Sequence, residues 1–369
     1  MPLPVRSLFV CCAFFGGILS QAWAVPFLPN DFYYRAPQNL QWYSTKMHLE
    51  DAWSVTLGDP TLKVAILDTG VISTTPDLTS RVLPALSTAV AGLGSPTIFP
   101  PFTDAQLAAG NTSIRHGTYV ASVLAMQINN NIGGAGVGNF LIQPIRITND
   151  TAQTNAQSIA NGIRLAADQG CKIINVSYTL GDPGIVADAA DYARSKGSLV
   201  FVGAGNSNRL ETIADYPSLI FIGGTNPNDE RWVQSTNNGS SFGNFVDFVA
   251  PAQNIVAADP PLAPNGYALL SGGTSFSTPL AAGVAGLIWS VNPNLTPDQV
   301  EQILRDSAVD LGAPGRDQFF GHGRIDAGAA VALAVASIPE PGTIMVGIAG
   351  MTWLVWRRRR VSSAHSVCG

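Results

Sequence analysis

The chain has 369 residues, of which 46% are hydrophobic and 12% charged, with a formal net charge of −5. Its length supports one large core, and Cys171 stands alone in the body of the chain, so a small disulfide-framed domain is excluded. The acidic balance argues against nucleic acid or an anionic membrane surface as a partner.

Residues 1–24 have the layout of a secretory signal peptide. Arg6 precedes an apolar run, Leu8–Leu19, and Ala22-Trp23-Ala24 then forms an A-x-A cleavage site. The run of about a dozen residues is too short to span a membrane. We therefore predict export through the Sec pathway to the bacterial cell envelope or the medium.

Residues 25–336 are predicted to form one α/β domain. Short β-rich runs alternate with helical ones, which predicts a doubly wound, mostly parallel sheet flanked by helices in three layers. Thr296 opens a late helix with capping-box spacing. Predicted strands are 63–67, 141–147, 172–176, 199–202, 219–222 and 246–249, and predicted helices are 118–127, 156–168 and 186–194. Sites in such sheets lie at the carboxyl ends of strands.

The stretch Gly272–Pro279, G-G-T-S-F-S-T-P, lies between a strand-like run, 267–270, and the apolar segment 280–291. That segment is apolar or small on every side, which predicts a fully buried helix, and Pro279 suits its first turn. Ser275 is then expected at or just before the helix N-terminus, where free N–H groups could stabilise an oxyanion. Taken alone, the motif favours a plain helix cap.

Three more polar residues follow apolar strands or open a helix. Asp68 ends the run V-A-I-L-D, His116 begins a helical stretch, and Asn206 follows V-G-A-G. Each has an ordinary alternative, since Asp68 and Asn206 could be turn residues and a lone histidine is usually structural. We expect that structural role for His48 and His322.

Four residues follow one another along the chain in the order Asp68, His116, Asn206 and Ser275. They lie in the motifs L-D-T-G, H-G-T-Y-V-A, G-A-G-N and G-T-S-F-S-T-P, respectively. Over residues 29–336 this resembles the subtilisin-like serine peptidases, and most of all their thermitase branch. The resemblance implies that Ser275 is the nucleophile, His116 the base and Asp68 its orienting carboxylate. Asn206 and the Ser275 backbone N–H would form the oxyanion hole.

The resemblance also implies a substrate pocket and shows departures from the family. Ile174 to Ser177 would form one wall, Gly203, Ala204 and Gly205 the other, and the peptide would add as a strand. The chain departs from the family in having Tyr178-Thr179-Leu180-Gly181 where a small residue is usual, Leu280 in place of a histidine after Pro279, and Pro251-Ala252 in place of Pro-Gly. Only 43 residues separate the predicted signal peptide from Asp68, too few for the family's propeptide, so either the enzyme folds without one or the assumed start of the chain is wrong.

A calcium site is expected beyond the His116 helix. The loop N-N-N-I-G-G at 129–134 offers many carbonyls, although a helix stop with an exposed turn also explains it. The resemblance implies a structural calcium and no catalytic cofactor. The implied ligands are the side chains of Asp31, Asp77 and Asn130 and the backbone carbonyls of Ile128, Ile132 and Gly134.

The C-terminal segment, 337–360, has three parts. Pro339-Glu340-Pro341 breaks structure, residues 342–356 are uncharged and largely apolar, and Arg357–Arg360 follow, before a short tail at 361–369. This resembles the PEP-CTERM sorting signal of bacterial envelope proteins, which implies transient membrane insertion and processing by an exosortase. A plain tail anchor is the alternative.

The sequence therefore predicts a monomeric, exported serine endopeptidase that acts on proteins or peptides. A non-catalytic envelope or matrix-binding protein on a peptidase scaffold is the alternative from another class. An esterase or transpeptidase would use the same triad, although the motif G-T-S, rather than G-x-S-x-G, argues against an esterase.

Overall fold

The computed structural model describes residues 25–36, 40–90, 97–260 and 266–339. The predicted signal peptide and nearly all of the predicted sorting segment lie outside the described residues. The domain predicted at 25–336 lies almost wholly within them.

Within the described residues, the central sheet has seven strands in the order β11-β8-β7-β6-β1-β5-β2, and every neighbouring pair is parallel. The prediction of a doubly wound, mostly parallel sheet is confirmed. The strands are β1 (Lys63–Asp68), β2 (Leu86–Ser87), β3 (Ala89–Val90), β4 (Thr97–Ile98), β5 (Leu141–Arg146), β6 (Ile173–Val176), β7 (Leu199–Gly203), β8 (Leu219–Thr225), β9 (Val233–Ser235), β10 (Asn238–Gly239), β11 (Phe248–Pro251), β12 (Gln253–Ala258) and β13 (Tyr267–Gly272).

Helices cover both faces of the sheet. They are α1 (Phe32–Arg35), α2 (Trp42–Lys46), α3 (Leu49–Trp53), α4 (Asp104–Ala109), α5 (His116–Ala125), α6 (Ala156–Asp168), α7 (Pro183–Ser195), α8 (Thr274–Val291), α9 (Pro297–Ser307) and α10 (Ala327–Ala336). Because side chains alternate along a strand, Val64 and Ile66 of β1 join the core formed with α5, α8 and α10. Ala65 and Leu67 join the core formed with α6 and α7. The three predicted layers are therefore present.

Helix α8 starts earlier than the sequence predicts. It begins at Thr274, so Pro279 lies inside the helix and not in its first turn. A proline there cannot donate to the carbonyl four residues back, which belongs to Ser275. The hydroxyl of Ser177 donates to that carbonyl instead, at 2.9 Å. The missing helical bond is thus replaced by a contact with the residue that follows β6.

Several side chains outside the site have structural roles. His48 pairs with Asp326 at 2.6 Å, and His322 packs on the ring of Phe248. Cys171 is a buried thiol, and burial raises its pKa to about 12. Among the described helices, α8 is the one long and apolar enough to cross a membrane, but it is the buried core helix of this fold.

Gly283 lies where α8 packs closely against Val137, so a substitution there probes the packing of the helix. A Cβ atom there would lie 2.5 Å from Cβ of the buried, stiff Val137. We expect Gly283→Ala to lower the free energy of unfolding by about 1–3 kcal/mol, although alanine favours the helix. Urea unfolding measures this, in a Ser275→Ala background that lacks the expected nucleophile.

Gly184→Ala in α7 is the matched control, because the nearest atom to its added Cβ is 3.4 Å away. It should leave the urea midpoint unchanged or raise it. Equal stability of the two variants would mean that α8 packs more loosely than the contact with Val137 implies.

Candidate active site

Asp68 and His116 meet at the carboxyl end of the sheet. Asp68 is the last residue of β1 and is fully buried, and His116 is the first residue of α5. His116 Nδ1 lies 2.9 Å from Oδ2 and 3.1 Å from Oδ1 of Asp68. Gly117 permits this approach, because a Cβ at that position would stand 2.4 Å from the carbonyl oxygen of Gly70. The carboxylate therefore fixes the orientation of the imidazole.

The His116 ring is enclosed on two sides. It meets Tyr178 edge-on, with ring centroids 5.6 Å apart, and lies 6.2 Å from the ring of Phe276. Burial lowers the pKa of His116, but the charge of Asp68 and its hydrogen bond outweigh that effect, so the net shift is upward from 6.5. The Asp68 carboxylate thus stabilises the protonated imidazole.

Ser275 is the second residue of α8 and directly precedes Phe276. Because the ring of Phe276 lies near that of His116, the start of α8 is close to His116. Its side chain is half-buried, and its hydroxyl donates to the carbonyl of Ser177 at 3.4 Å. The hydroxyl therefore stands at a helix N-terminus, among backbone N–H groups that lack helical partners.

Asn206 is exposed just beyond β7, and its carbonyl end is fixed. Its Oδ1 accepts hydrogen bonds from the backbone N and from Oγ1 of Thr274, both at 2.9 Å. The assignment of Oδ1 and Nδ2 follows from these two donors. Within the part of the chain described, Nδ2 donates to no protein group, so its N–H groups are free for a ligand. The sequence alone does not reveal this contact of Thr274.

A cavity of about 500 Å³ opens beside Asn206. Gly203, Ala204 and Gly205, which are predicted to form one wall of a substrate pocket, line it on one side. The residues lining the rest of it are Thr179, Leu180, Gly181, Pro183, Asn206, Ser207, Arg209, Glu211, Ile213, Phe221 and Ser241.

Ser177 does not line this cavity, in contrast to the predicted wall at 174–177. Its side chain is turned to the Ser275 carbonyl, because that carbonyl lacks a helical donor. On that side the cavity is lined instead by residues that follow Ser177 in the sequence, which are Thr179, Leu180, Gly181 and Pro183. Ser177 is therefore a support for the start of α8.

Tyr178, one of the departures from the family pattern, does not line the cavity. Its hydroxyl donates to the carbonyl of Ala152 at 3.3 Å, while its ring packs on His116. Burial, and then the charge of Asp68, raise the pKa of Tyr178, so the hydroxyl stays protonated. Leu280, another of the departures, is fully buried in α8.

The loop at 128–134 closes around two buried carboxylates. Asp31 accepts from the backbone N of Asn129 at 2.8 Å and of Asn130 at 3.0 Å. Asp77 accepts from the side chain of Asn130 at 2.6 Å and from the backbone N of Gly134 at 3.2 Å. Residues far apart in sequence are thus brought to one place.

The chemistry of this donor set fits calcium. Carboxylate and amide side chains share the loop with backbone carbonyls, and calcium prefers such oxygens. Burial raises the pKa of Asp77 to about 6, and the nearby charge of Asp31 adds to that shift. A cation would relieve this cost. Ile132 is exposed on the same loop, and the backbone N of Ile128 donates to Asn139. In the described ranges no three His, Cys, Asp or Glu side chains cluster as metal ligands.

The fold and these motifs define a subtilisin-like serine endopeptidase. The profile of the subtilase family of S8 peptidases matches residues 59–323, and the chain belongs to that family.

Its relatives agree with this assignment. The chain is 32% identical to thermitase of Thermoactinomyces vulgaris over 312 residues, which cover 83% of this chain and 99% of that protein. It is 31% identical to a thermophilic serine proteinase of Bacillus sp. strain AK1, over 84% of this chain and 69% of that protein. A protease structure from Pseudoalteromonas arctica superimposes with a TM-score of 0.66 at 26% identity, covering 83% of this chain and 99% of the other.

Proposed function

We propose that the chain hydrolyses peptide bonds through a triad of Asp68, His116 and Ser275. Ser275 Oγ attacks the carbonyl carbon of the substrate while His116 takes its proton. Asp68 holds the imidazole by Nδ1 and stabilises its charged form. His116 then gives the proton to the leaving amine, and water hydrolyses the acyl-enzyme by the same sequence of proton transfers.

Asn206 and the backbone N–H of Ser275 would stabilise the oxyanion that forms. Thr274 holds the amide by Oδ1, so the N–H groups of Asn206 need no reorganisation when charge develops. Gly203, Ala204 and Gly205 would line the pocket for the substrate, while the backbone of Ser177 would contact it.

The observation that carries this proposal is the 2.9 Å contact of His116 Nδ1 with a fully buried carboxylate, next to the start of α8. His48 pairs with the buried Asp326 in a similar way, so what distinguishes His116 is its position at the carboxyl end of β1, beside Phe276 at the start of α8. This arrangement favours catalysis over a non-catalytic binding scaffold.

Ser275→Ala should abolish covalent labelling by a fluorophosphonate probe and nearly all hydrolysis, because the attacking oxygen is lost. Asp68→Asn should fold but lose roughly ten-thousand-fold in turnover, because the imidazole loses its orienting charge. Labelling rates and kcat on a casein-derived peptide measure both. Turnover at the wild-type rate in Asp68→Asn would contradict the triad.

Asn206→Ala should lower kcat by roughly a hundred- to a thousand-fold with little change in KM. Thr274→Val, which removes one of the two donors to Asn206 Oδ1, should give a smaller loss of the same kind. Asn237→Ala, at an exposed turn between β9 and β10, is the matched control. A loss confined to KM would show that Asn206 positions the ground state.

We also propose a structural calcium ion held by Asp31, Asp77 and Asn130 through their side chains. Ile128, Ile132 and Gly134 would add backbone carbonyls. The ion would neutralise two buried carboxylates and fasten the N-terminal segment to the loop after α5. It would take no part in proton transfer.

A calcium chelator should therefore lower the melting temperature and speed autolysis, and added calcium should reverse both effects. A ligand at a hundred times its dissociation constant contributes about 2.7 kcal/mol to folding. Asp77→Asn should blunt the response, whereas Asp188→Asn, on the exposed face of α7, should retain it. Identical melting curves with and without chelator, with no calcium in elemental analysis, would refute the site.

The chain ends are proposed to direct export and sorting. Residues 1–24 would be removed after Sec-dependent export, leaving 25–336 as the peptidase domain. Residues 337–360 would insert transiently in the membrane until an exosortase cuts the segment.

Cutting is expected near Pro339-Glu340-Pro341. Mass spectrometry of envelope and medium fractions should then find no mature chain that carries Arg357–Arg360. Intact tails at steady state would instead indicate a simple membrane anchor.

A further inference from the structure

The cavity beside Asn206 lies next to the groups that carry the proposed chemistry. Asn206 lines the cavity and is also bonded to Thr274, the neighbour of Ser275. If the attacked carbonyl lies between Asn206 and Ser275, the side chain on the same residue of the substrate enters this cavity. The role of the cavity therefore rests on the proposed function.

The walls suit a long aliphatic stem. Leu180 and Phe221 are buried apolar residues that line the cavity, and Ile213 is half-buried beside them. Methylene groups placed there would leave water for an apolar surface, which is favourable.

Arg209 and Glu211 are the two charged residues among those that line the cavity. Glu211 Oε1 accepts from Ser207 Oγ at 2.8 Å and from Arg209 Nε at 2.9 Å. Its backbone N donates to the carbonyl of Phe242 at 2.8 Å, which fixes its position in the wall. Within the described residues, Oε2 of Glu211 accepts no hydrogen bond, so it is free for a ligand.

The two charges are unequally exposed. The Arg209 side chain is 72% exposed, whereas that of Glu211 is 29% exposed. Water screens the guanidinium, and an ion pair of this kind is weak and readily displaced. Hydrogen bonds from Ser207 and Arg209 lower the pKa of Glu211, so the carboxylate is charged at neutral pH. A side chain that enters the cavity therefore meets a negative charge.

With this cavity as the substrate pocket of the proposed function, we propose that Glu211 makes it selective for lysine and arginine at the residue just before the cleaved bond. The apolar walls hold the stem, and the carboxylate accepts from the cationic end. Arg209 competes for the same carboxylate from the solvent side and so weakens the selectivity.

The test compares kcat/KM of the purified protein on three fluorogenic peptides that differ only at that residue: lysine, methionine or glutamate. We expect lysine to be cleaved best and glutamate worst. Glu211→Gln should lower the lysine-to-methionine ratio by roughly tenfold or more, because a charged hydrogen bond is lost. Arg209→Gln should raise the ratio, because the competing cation is gone.

Asp215→Asn is the matched control. It removes one negative charge from a half-exposed side chain that pairs with Arg316 and does not line the cavity. The lysine-to-methionine ratio of kcat/KM for Asp215→Asn should equal that of the wild type. A ratio lowered as far as in Glu211→Gln would mean that long-range charge, and not the pocket, sets selectivity.

Fluorophosphonate labelling separates this inference from the proposed function. If the variants label at the wild-type rate and Glu211→Gln keeps the lysine-to-methionine ratio, the assigned selectivity is wrong while the peptidase activity stands. A wild-type preference for methionine or glutamate over lysine would overturn it in the same way. A wild-type protein that neither labels nor cleaves would overturn both.

Discussion

The site depends on how the start of α8 is attached to the sheet. Pro279 removes the donor that a regular helix would offer to the Ser275 carbonyl, and the hydroxyl of Ser177 replaces it. The Ser275 hydroxyl in turn donates to the carbonyl of Ser177. These two bonds tie the helix to the loop after β6, and the bonds from Thr274 to Asn206 tie it to the loop after β7. The cavity lies between the same two loops.

Much of the fold is predictable because its main strands are long, apolar and buried. β1, β7 and β8 begin at their predicted residues, and β6 begins one residue later than predicted. The strands of two residues, β2, β3, β4 and β10, carry too little pattern to be recognised. The predicted start of α8 is wrong for a physical reason, since the partner that permits Pro279 inside the helix lies 98 residues away in sequence.

The candidate site, like the fold, is only partly predictable from the sequence. Asp68, His116, Asn206 and Ser275 each lie in a motif that the chain shares with a family, so their positions follow from order alone. The residues of the pocket wall cannot be predicted in this way. The loop after Val176 differs in sequence from the family pattern, and its Tyr178 packs on His116. Arg209 and Glu211 carry no signal in the sequence. Charged residues in a turn are usually solvated, and the fold alone brings Glu211 to the cavity.

The bonds between Ser177 and Ser275 and between Asn206 and Thr274 join segments that are made far apart in time during synthesis. A ribosome that has produced Asp68, His116 and Asn206 has still to produce α8, which carries Ser275, the proposed nucleophile. The proposed site is therefore completed only when this one helix packs against the loops after β6 and β7.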